Sequence, residues 1–301
     1  MNIYQTCPEY QSESFCLRLV RPEDAEALLD CYSDRDVAAR ANADNCTSDF
    51  YYTTLEQMEE CIHFWLAEYQ KGYYVRFAIV SKQEGRAVGT MEAFGGEAGV
   101  LRLDIASRYE QEAYIDQLFR LAVLELIRDF EAESLYVKTS NTPERVPLLE
   151  KYGFTPSGTF RSGMGYYERA RAKYFDRSKG LAYCGLACCV CSENVSCAGC
   201  RNDGCKEKDW CKSRSCCKGS GTEGCWECGE YPCGYPMLEK LRVRAFGEYI
   251  KAYGEEALVS ALERREKDGV LYHYPGKLIG DYDLFQTQEE LFRFLRRDAS
   301  V

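Results

Sequence analysis

Histidine is almost missing from this chain: His63 and His273 are the two in 301 residues. Neither lies between residues 184 and 233, where thirteen of the eighteen cysteines crowd, so the metal ligands expected in that stretch are thiolates. Long apolar runs are missing too. Nothing approaches the roughly 18–20 apolar residues that span a bilayer, and the start, MNIYQTCPEYQSESF, lacks the basic opening and apolar core of a signal peptide. The expected location is therefore the cytoplasm, with no membrane partner. Positive charge is also short. The net charge is −10 and no segment is strongly basic, so the phosphate neutralisation that drives nucleic-acid binding has no footprint. What is present is ordinary globular composition, 46% hydrophobic and 29% charged, in a length that suggests about two domains.

Cysteine is abundant but uneven. Cys7, Cys16, Cys31, Cys46 and Cys61 are scattered through the first 61 residues and read as ordinary buried or surface thiols. The crowding from Cys184 to Cys233, in a reducing compartment, argues for metal rather than disulfides.

Residues 15–20, FCLRLV, alternate apolar and polar and predict a strand, and Pro22 opens a helix over 22–32. Residues 34–50 are polar and show no period. Thr54 with Gln57 forms a capping box, and Leu55, Met58, Ile62, Trp65, Leu66 and Tyr69 keep helical spacing until Gly72 stops the helix. YYVRFAIV, AVGTMEAF and GVLRLDIA follow as strands. A long helix over about 111–130, the strand SLYVKTS and the helix NTPERVPLLEKY, with Asn141 as N-cap, lead to two closing strands. This alternation predicts an α/β (α+β) domain, a mixed twisted sheet flanked by helices. Helices are expected near 236–252, 255–268 and 288–297, the last capped by Thr287 and Glu290. The expected domains are 1–178 and 179–301, the second holding a cysteine-rich module (184–233) and C-terminal helices (236–301).

LRLVRPEDAEALL, RLDIASRYEQEAYIDQLFRLAVLELI and LYVKTSNTPERVPLLEKYGFTPSGT arrive in an order that resembles the GNAT N-acetyltransferase superfamily, nearest its ribosomal-protein-acetylating branch. The resemblance covers a little over half the chain. It implies the acyl-CoA N-acyltransferase fold, acetyl-CoA as donor, and a small-molecule or protein amine as acceptor. In that family a basic-x-x-Gly-x-Gly/Ala loop opens the long helix, and its N–H groups cradle the donor's pyrophosphate. The matching stretch here is SRYEQEAY. Carried over by position, the cofactor contacts are Ile105, Ala106, Ser107, Arg108, Tyr109, Glu110, Gln111, Ala113 and Tyr114, with Asn141 after the next strand. Backbone amides of 105–109 can bond a pantetheine arm as a strand would.

Two departures from the family pattern stand out. Arg108 keeps the basic position and Ala113 is permitted, but Gln111 replaces a glycine, and Glu110 and Glu112 place carboxylates where a diphosphate would lie. Family members that protonate the leaving thiolate with a tyrosine set it four residues before the Gly of the GF pair. Leu149 stands there, and Tyr152 lies about 60° round the helix from it. Tyr152, with Glu92 and Asp104 as central-strand bases for the amine, completes the catalytic candidates. Two readings follow: an acetyl-CoA-dependent N-acetyltransferase with a rebuilt loop, or a catalytically degenerate scaffold or sensor acting as a zinc-stabilised interaction protein.

The cysteine block holds few large apolar side chains, Leu186, Val190, Val195, Trp210, Trp226 and Tyr231, too few to fold it without a covalent or metallic support. Three C-x2-C pairs, Cys188/Cys191, Cys197/Cys200 and Cys225/Cys228, each let two thiolates of one turn reach one ion. Cys184, Cys205, Cys211, Cys216 and Cys233 can complete four-thiolate sets. Two to three structural zinc ions are expected, ahead of an iron–sulfur cluster. The C-x3-C-x2-C of Cys184, Cys188 and Cys191 would suit radical chemistry only with a large barrel behind it. Cys189 and Cys217, each beside a better-placed neighbour, are expected to be non-ligands, and which cysteines share an ion stays open. YCGLACCVC, CAGC, CKSRSC and CWECGEYPC resemble an uncharacterised cysteine-rich bacterial domain, which implies metal binding and brings no reaction. A protein partner through this module is the accompanying expectation.

Overall fold

The computed structural model describes residues 3–44, 48–94, 98–130, 132–192, 196–203 and 210–297. The chain divides into two units, Met1–Arg171 and Ala172–Val301, a division that falls ahead of the 178/179 boundary read from the sequence.

The N-terminal unit is built on β1 (Tyr10–Gln11), β2 (Phe15–Leu19), β3 (Val75–Ser81), β4 (Ala87–Phe94), β5 (Ala98–Ile105), β6 (Ser134–Lys138), β7 (Thr155–Pro156) and β8 (Tyr166–Ala170). They form one sheet in the order β1-β2-β3-β4-β5-β6-β8-β7. Neighbours pair antiparallel except β5 and β6, which run parallel. The helices are α1 (Ala25–Tyr32), α2 (Arg35–Asn42), α3 (Leu55–Gln70), α4 (Glu112–Leu121) and α6 (Val146–Lys151). A π-helical stretch, Ala122–Leu126, carries α4 into α5 (Ile127–Phe130). β3 is buried along nearly its whole length, Arg76 included, which is why apolar residues in VRFAIVS sit at consecutive positions rather than alternating with polar ones.

α3 starts as its capping box predicts. Gln57 N donates to Thr54 Oγ1 at 3.3 Å, and Thr54 N donates to Gln57 Oε1 at 3.2 Å. Two expectations need correcting. The aperiodic stretch 34–50 contains α2, capped by Asp34, whose Oδ1 accepts from Asp36 N at 2.9 Å; it buries only the small face Val37, Ala38 and Ala41. Asn141 caps no helix. Its side chain donates to Ala39 O at 3.4 Å, and Pro143 begins a 3-10 turn, Pro143–Arg145, that leads into α6. Pro143 at the first helical position makes Thr142 the flanking residue.

The sheet's register makes the feature that matters most. β5 and β6 pair from Ala98↔Ser134 to Leu101↔Val137. β5 then runs on to Ile105, while β6 pairs along its other edge with β8. The two parallel strands part after Leu101 and Val137 and leave a wedge along Arg102–Ile105. On the opposite edge β4 lies close, because a Cβ at Gly89 would stand 2.3 Å from Asp104 O; only glycine permits that approach.

The C-terminal unit is helical: α7 (Lys212–Ser220), α8 (Pro236–Glu239), α9 (Leu241–Tyr253), α10 (Glu255–Lys267) and α11 (Gln288–Arg296). The predicted box at α11 forms, with Glu290 N donating to Thr287 Oγ1 at 3.2 Å and Thr287 N donating to Glu290 Oε2 at 3.3 Å. The Gly- and Tyr-rich loop after α10 closes on Asp281, which is fully buried. Its carboxylate accepts from Leu271 N at 2.7 Å and from the Tyr274 hydroxyl at 2.9 Å. Among the described residues, no helix is long and apolar enough to cross a membrane.

Candidate functional site

Side chains from four elements fill the wedge. Arg145, at the end of the turn that opens α6, is 4% exposed. Its Nη1 donates to Leu103 O at 2.9 Å, on the edge of β5 that β6 has left. Its Nε and Nη2 grip the two oxygens of Glu110 at 2.7 and 2.6 Å, the forked geometry of a strong charge-assisted pair. Arg40, from α2, approaches Glu110 Oε2 at 3.9 Å. Lys138 donates to Ala43 O at 2.5 Å. What remains is a cavity of about 20 Å³ between Arg102, Asp104, Lys138 and Arg145, room for about one water.

The floor of the wedge is a buried charge network. Arg76 pairs with Glu92 and with Asp104 Oδ2 at 3.3 Å. Arg102 Nε stands 3.4 Å from the same oxygen. The Tyr32 hydroxyl lies 3.1 Å from Asp104 Oδ2 and 2.7 Å from Thr90 Oγ1. Burial and then the Asp104 charge push the Tyr32 hydroxyl well above its ordinary value, so it stays a donor. Aromatic faces cover both guanidinium groups: Arg76 lies 4.4 Å from the Trp65 ring centre and Arg102 4.3 Å from that of Phe50. The candidate bases Glu92 and Asp104 are thus brought together through Arg76, and Asp104 lines the cavity. Tyr152 does not join them. It is 1% exposed, and its hydroxyl bonds Asp116 Oδ1 at 2.9 Å and Asp116 O at 3.1 Å.

The loop aligned with a diphosphate cradle is bonded to itself. The N–H groups of Tyr109, Glu110 and Gln111 donate to Ala106 O, Ser107 O and Tyr109 O at 2.8, 3.1 and 2.8 Å. Arg108, the loop's basic residue, forks onto Glu84 at 3.1 and 2.9 Å, and the Tyr109 hydroxyl meets the same carboxylate at 2.7 Å. Those bonds, from Arg108 first and Tyr109 second, hold the Glu84 carboxyl below its usual range. Gln111 Nε2 donates to Arg108 O at 2.7 Å. Ile105 and Ala106 are buried, with Ala106 N spent on Val88 O at 2.9 Å. Ser107 donates to Asp34 Oδ2 at 2.6 Å. Ala113 is exposed, Tyr114 packs edge-on against Phe15, and Asn141 borders the cavity. In this arrangement Glu110 fills the position that the resemblance assigns to the donor's phosphates, and Arg145, bonded to it, caps the strand edge. Sequence reasoning found Glu110 but missed Arg145 and Arg40.

In the C-terminal unit, Cys184, Cys200, Cys217 and Cys225 are buried in one cluster with Ala182, Leu238 and Val243. The thiols acting most strongly on Cys184 are Cys200, Cys211 and Cys225. Burial above all pushes Cys184 and Cys225 up to about 12. Cys217 Sγ stands 3.9 Å from Cys225 Sγ. That is far beyond the S–S bond of about 2.05 Å, but close to the spacing of about 3.8 Å that a tetrahedral zinc with bonds of about 2.3 Å imposes on two sulfurs. Cys217, expected as a non-ligand, therefore stands at ligand spacing. In the CAGC turn, Cys197 Sγ accepts from Gly199 N at 3.4 Å. Gly199 has φ +101°, and a Cβ there would meet Lys179 O at 2.3 Å. Cys188 and Cys191 are half-buried, while Cys216, Cys228 and Cys233 are exposed; Cys205 lies outside the described residues. Cys189 turns inward, and its N–H bonds Gly180 O at 2.9 Å. Among the described residues no disulfide forms, and no three His, Cys, Asp or Glu side chains converge as a metal site. His273, remote in sequence, has its Nδ1 3.9 Å from Cys191 Sγ.

A scan against protein-family models finds no match for the chain, and neither does a search of curated proteins. Solved structures similar to about half of it are acetyltransferases. The ribosomal-protein-S5-alanine acetyltransferase of Vibrio fischeri is 15% identical, with 54% of this chain and 96% of that chain covered and a TM-score of 0.43. A ribosomal L7/L12 alpha-N-protein acetyltransferase in complex with coenzyme A is 12% identical, with 54% and 98% covered and a TM-score of 0.44. The spermidine N-acetyltransferase of Vibrio cholerae, solved with CoA and spermine, is 16% identical, with 52% and 93% covered and a TM-score of 0.40.

Proposed function

We propose that the N-terminal unit is a GNAT-like N-acetyltransferase that takes its acetyl group from acetyl-CoA and delivers it to a small-molecule or protein amine. The C-terminal unit is a module held by structural zinc. The observation that carries the first part is the parting of β5 from β6 after Leu101 and Val137. It opens a strand edge, and an arm bearing amide groups can bond such an edge as an added strand. Asp104, buried at the floor of that opening, is the candidate base, with Glu92 acting on it through Arg76. The donor site is shut by the Glu110–Arg145 pair, so binding requires that pair to open. The zinc reading is supported by buried thiols at ligand spacing in a segment with little apolar core.

A second reading, a catalytically degenerate scaffold acting as a zinc-stabilised interaction protein, is favoured by one observation: the side chain that blocks the wedge, Arg145, is itself buried and doubly bonded to Glu110. Calorimetry with CoA separates the two. A micromolar Kd supports the transferase, and no heat at millimolar CoA, in wild type and in Glu110→Gln alike, leaves the scaffold. For the metal, elemental analysis should find two to three zinc ions per chain; iron and a brown colour would overturn it.

A further inference from the structure

One arginine beside the wedge is held in a costly position. Arg161 lies in the loop that joins β7 to β8, and its φ is +44°, in the left-handed region that residues with a Cβ seldom adopt. Such strain lasts only where the surroundings hold it, and it gathers at ligand clamps. The loop is fastened on both sides of Arg161. Phe160 stacks on Tyr136 with ring centres 4.0 Å apart, and its N–H donates to Ser157 Oγ at 3.2 Å. Ser140, which lines the cavity, donates to Met164 O at 3.1 Å.

Arg161 itself is exposed. Its guanidinium lies 5.4 Å from the Phe160 ring centre and 6.0 Å from that of Tyr166, and Nη1 donates to the Tyr166 hydroxyl at 3.4 Å. That hydroxyl in turn donates to Asp44 Oδ1 at 3.1 Å, and Asp44 lines the cavity. One phenol therefore separates Arg161 from the cavity wall. Among the described residues, the guanidinium meets two rings and that phenol but no carboxylate. A guanidinium carries five N–H donors, and one propped on aromatic rings keeps its fork for a planar anion. The charge around it agrees. Arg40, Arg102, Lys138 and Arg145 line the cavity against Asp44 and Asp104, and Glu110 offsets one of the four through Arg145. The lining is thus positive in a chain whose net charge is −10. A polycation is repelled there, whereas an amine that brings its own carboxylate is not. Positive surroundings also favour the neutral, nucleophilic form of a bound amine.

We propose that the acceptor is an amine that carries a carboxylate, either a free amino acid or the N-terminus of an acidic peptide, and that Arg161 binds that carboxylate. This rests on the transferase reading of the wedge. Arg161 then sets the choice of acceptor, while Asp104 remains the candidate base.

The test follows acetyl transfer from acetyl-CoA by the full chain to free glutamate, to a short peptide beginning Ala-Glu-Glu, to its Ala-Gln-Gln counterpart and to spermidine. Wild type is compared with Arg161→Gly and Arg161→Glu. One charge-assisted bond sets the expected preference in kcat/KM for glutamate or the acidic peptide, over both other amines, at about tenfold or more. Which of the two acidic acceptors is better used identifies the source of the carboxylate. Arg161→Gly should raise KM for that acceptor by about tenfold or more and leave kcat within about twofold. Glycine is at ease at this φ, so the variant should melt no lower than wild type, and a lost preference then reflects the missing guanidinium. Arg161→Glu should shift the preference toward spermidine. Equal use of the glutamate and glutamine peptides by wild type, or a KM unmoved in Arg161→Gly, overturns the proposal and leaves the transferase standing. No transfer to any of these amines also overturns it, and calorimetry with CoA then shows whether the transferase reading falls as well.

Discussion

Glu110→Gln tests the closed wedge most directly. The substitution keeps the shape of the side chain and removes the charge that faces Arg145. Both side chains are nearly buried, 5% and 11% exposed, so this is the case in which removing one partner strands the other. Breaking a buried pair in that way costs about 3–5 kcal/mol. Here Arg145 keeps its bond to Leu103 O and the glutamine oxygen can accept one N–H, which sets the expected loss at the low end, about 3 kcal/mol. For a unit of this size each kcal/mol shifts Tm by roughly 2–4 °C, so the N-terminal transition should fall by about 6–12 °C in calorimetry of the full chain. The same variant frees the fork of Arg145 for another anion. A ligand at a hundredfold its Kd returns about 2.7 kcal/mol, so CoA or inorganic pyrophosphate should restore most of the loss in the variant and shift wild type far less. A Tm within about 1 °C of wild type, or equal ligand shifts in both proteins, would refute the reasoning.

Other expectations follow from the same geometry. Gly89→Ala places a methyl group 2.3 Å from Asp104 O and should cost at least about 1–3 kcal/mol in urea unfolding; an unchanged midpoint would contradict the close β4–β5 approach. Arg76→Met strips Glu92 of its buried cation and leaves Asp104 with Arg102 alone, so about 3–5 kcal/mol should be lost, with altered tryptophan fluorescence because the guanidinium covers Trp65. Stripping metal with a chelator should unfold the cysteine module while the N-terminal unit still melts cooperatively. Continued protease resistance between residues 184 and 233 in verified metal-free protein would count against structural zinc.

Much of the architecture is legible in the residues. Strands with clear runs and helices with capping boxes, at Thr54 and Thr287, appear where local signals put them, because those signals act within four residues. α2 escapes because its buried face is Val37, Ala38 and Ala41, too small to make an apolar period among charged neighbours. Arg145 looks like a solvated charge at a helix start; its burial depends on β5 and β6 parting, which pattern reading along one strand cannot see. Glu110 reads as an obstacle to phosphate, yet its partners sit 35 and 70 residues away. The pairing of Cys191 with a histidine 82 residues on is likewise a product of topology.

Asp34 carries a mechanical consequence. One oxygen caps α2 through Asp36 N and the other accepts from Ser107, and the Ser107 bond holds its carboxyl below the usual range. Arg40, further along α2, leans on Glu110, and Ala41 O holds Arg102 at 2.6 Å. The loop that closes the wedge is therefore coupled to a two-turn helix at both of its ends. Swinging Glu110 aside should then pull on α2 through Arg40, a collective motion of the microsecond-to-millisecond class rather than a nanosecond rotamer flip. Donor association should then be gated: its observed rate should level off with rising CoA at the opening rate of the helix, and Asp34→Ala, by uncoupling helix from loop, should raise that plateau.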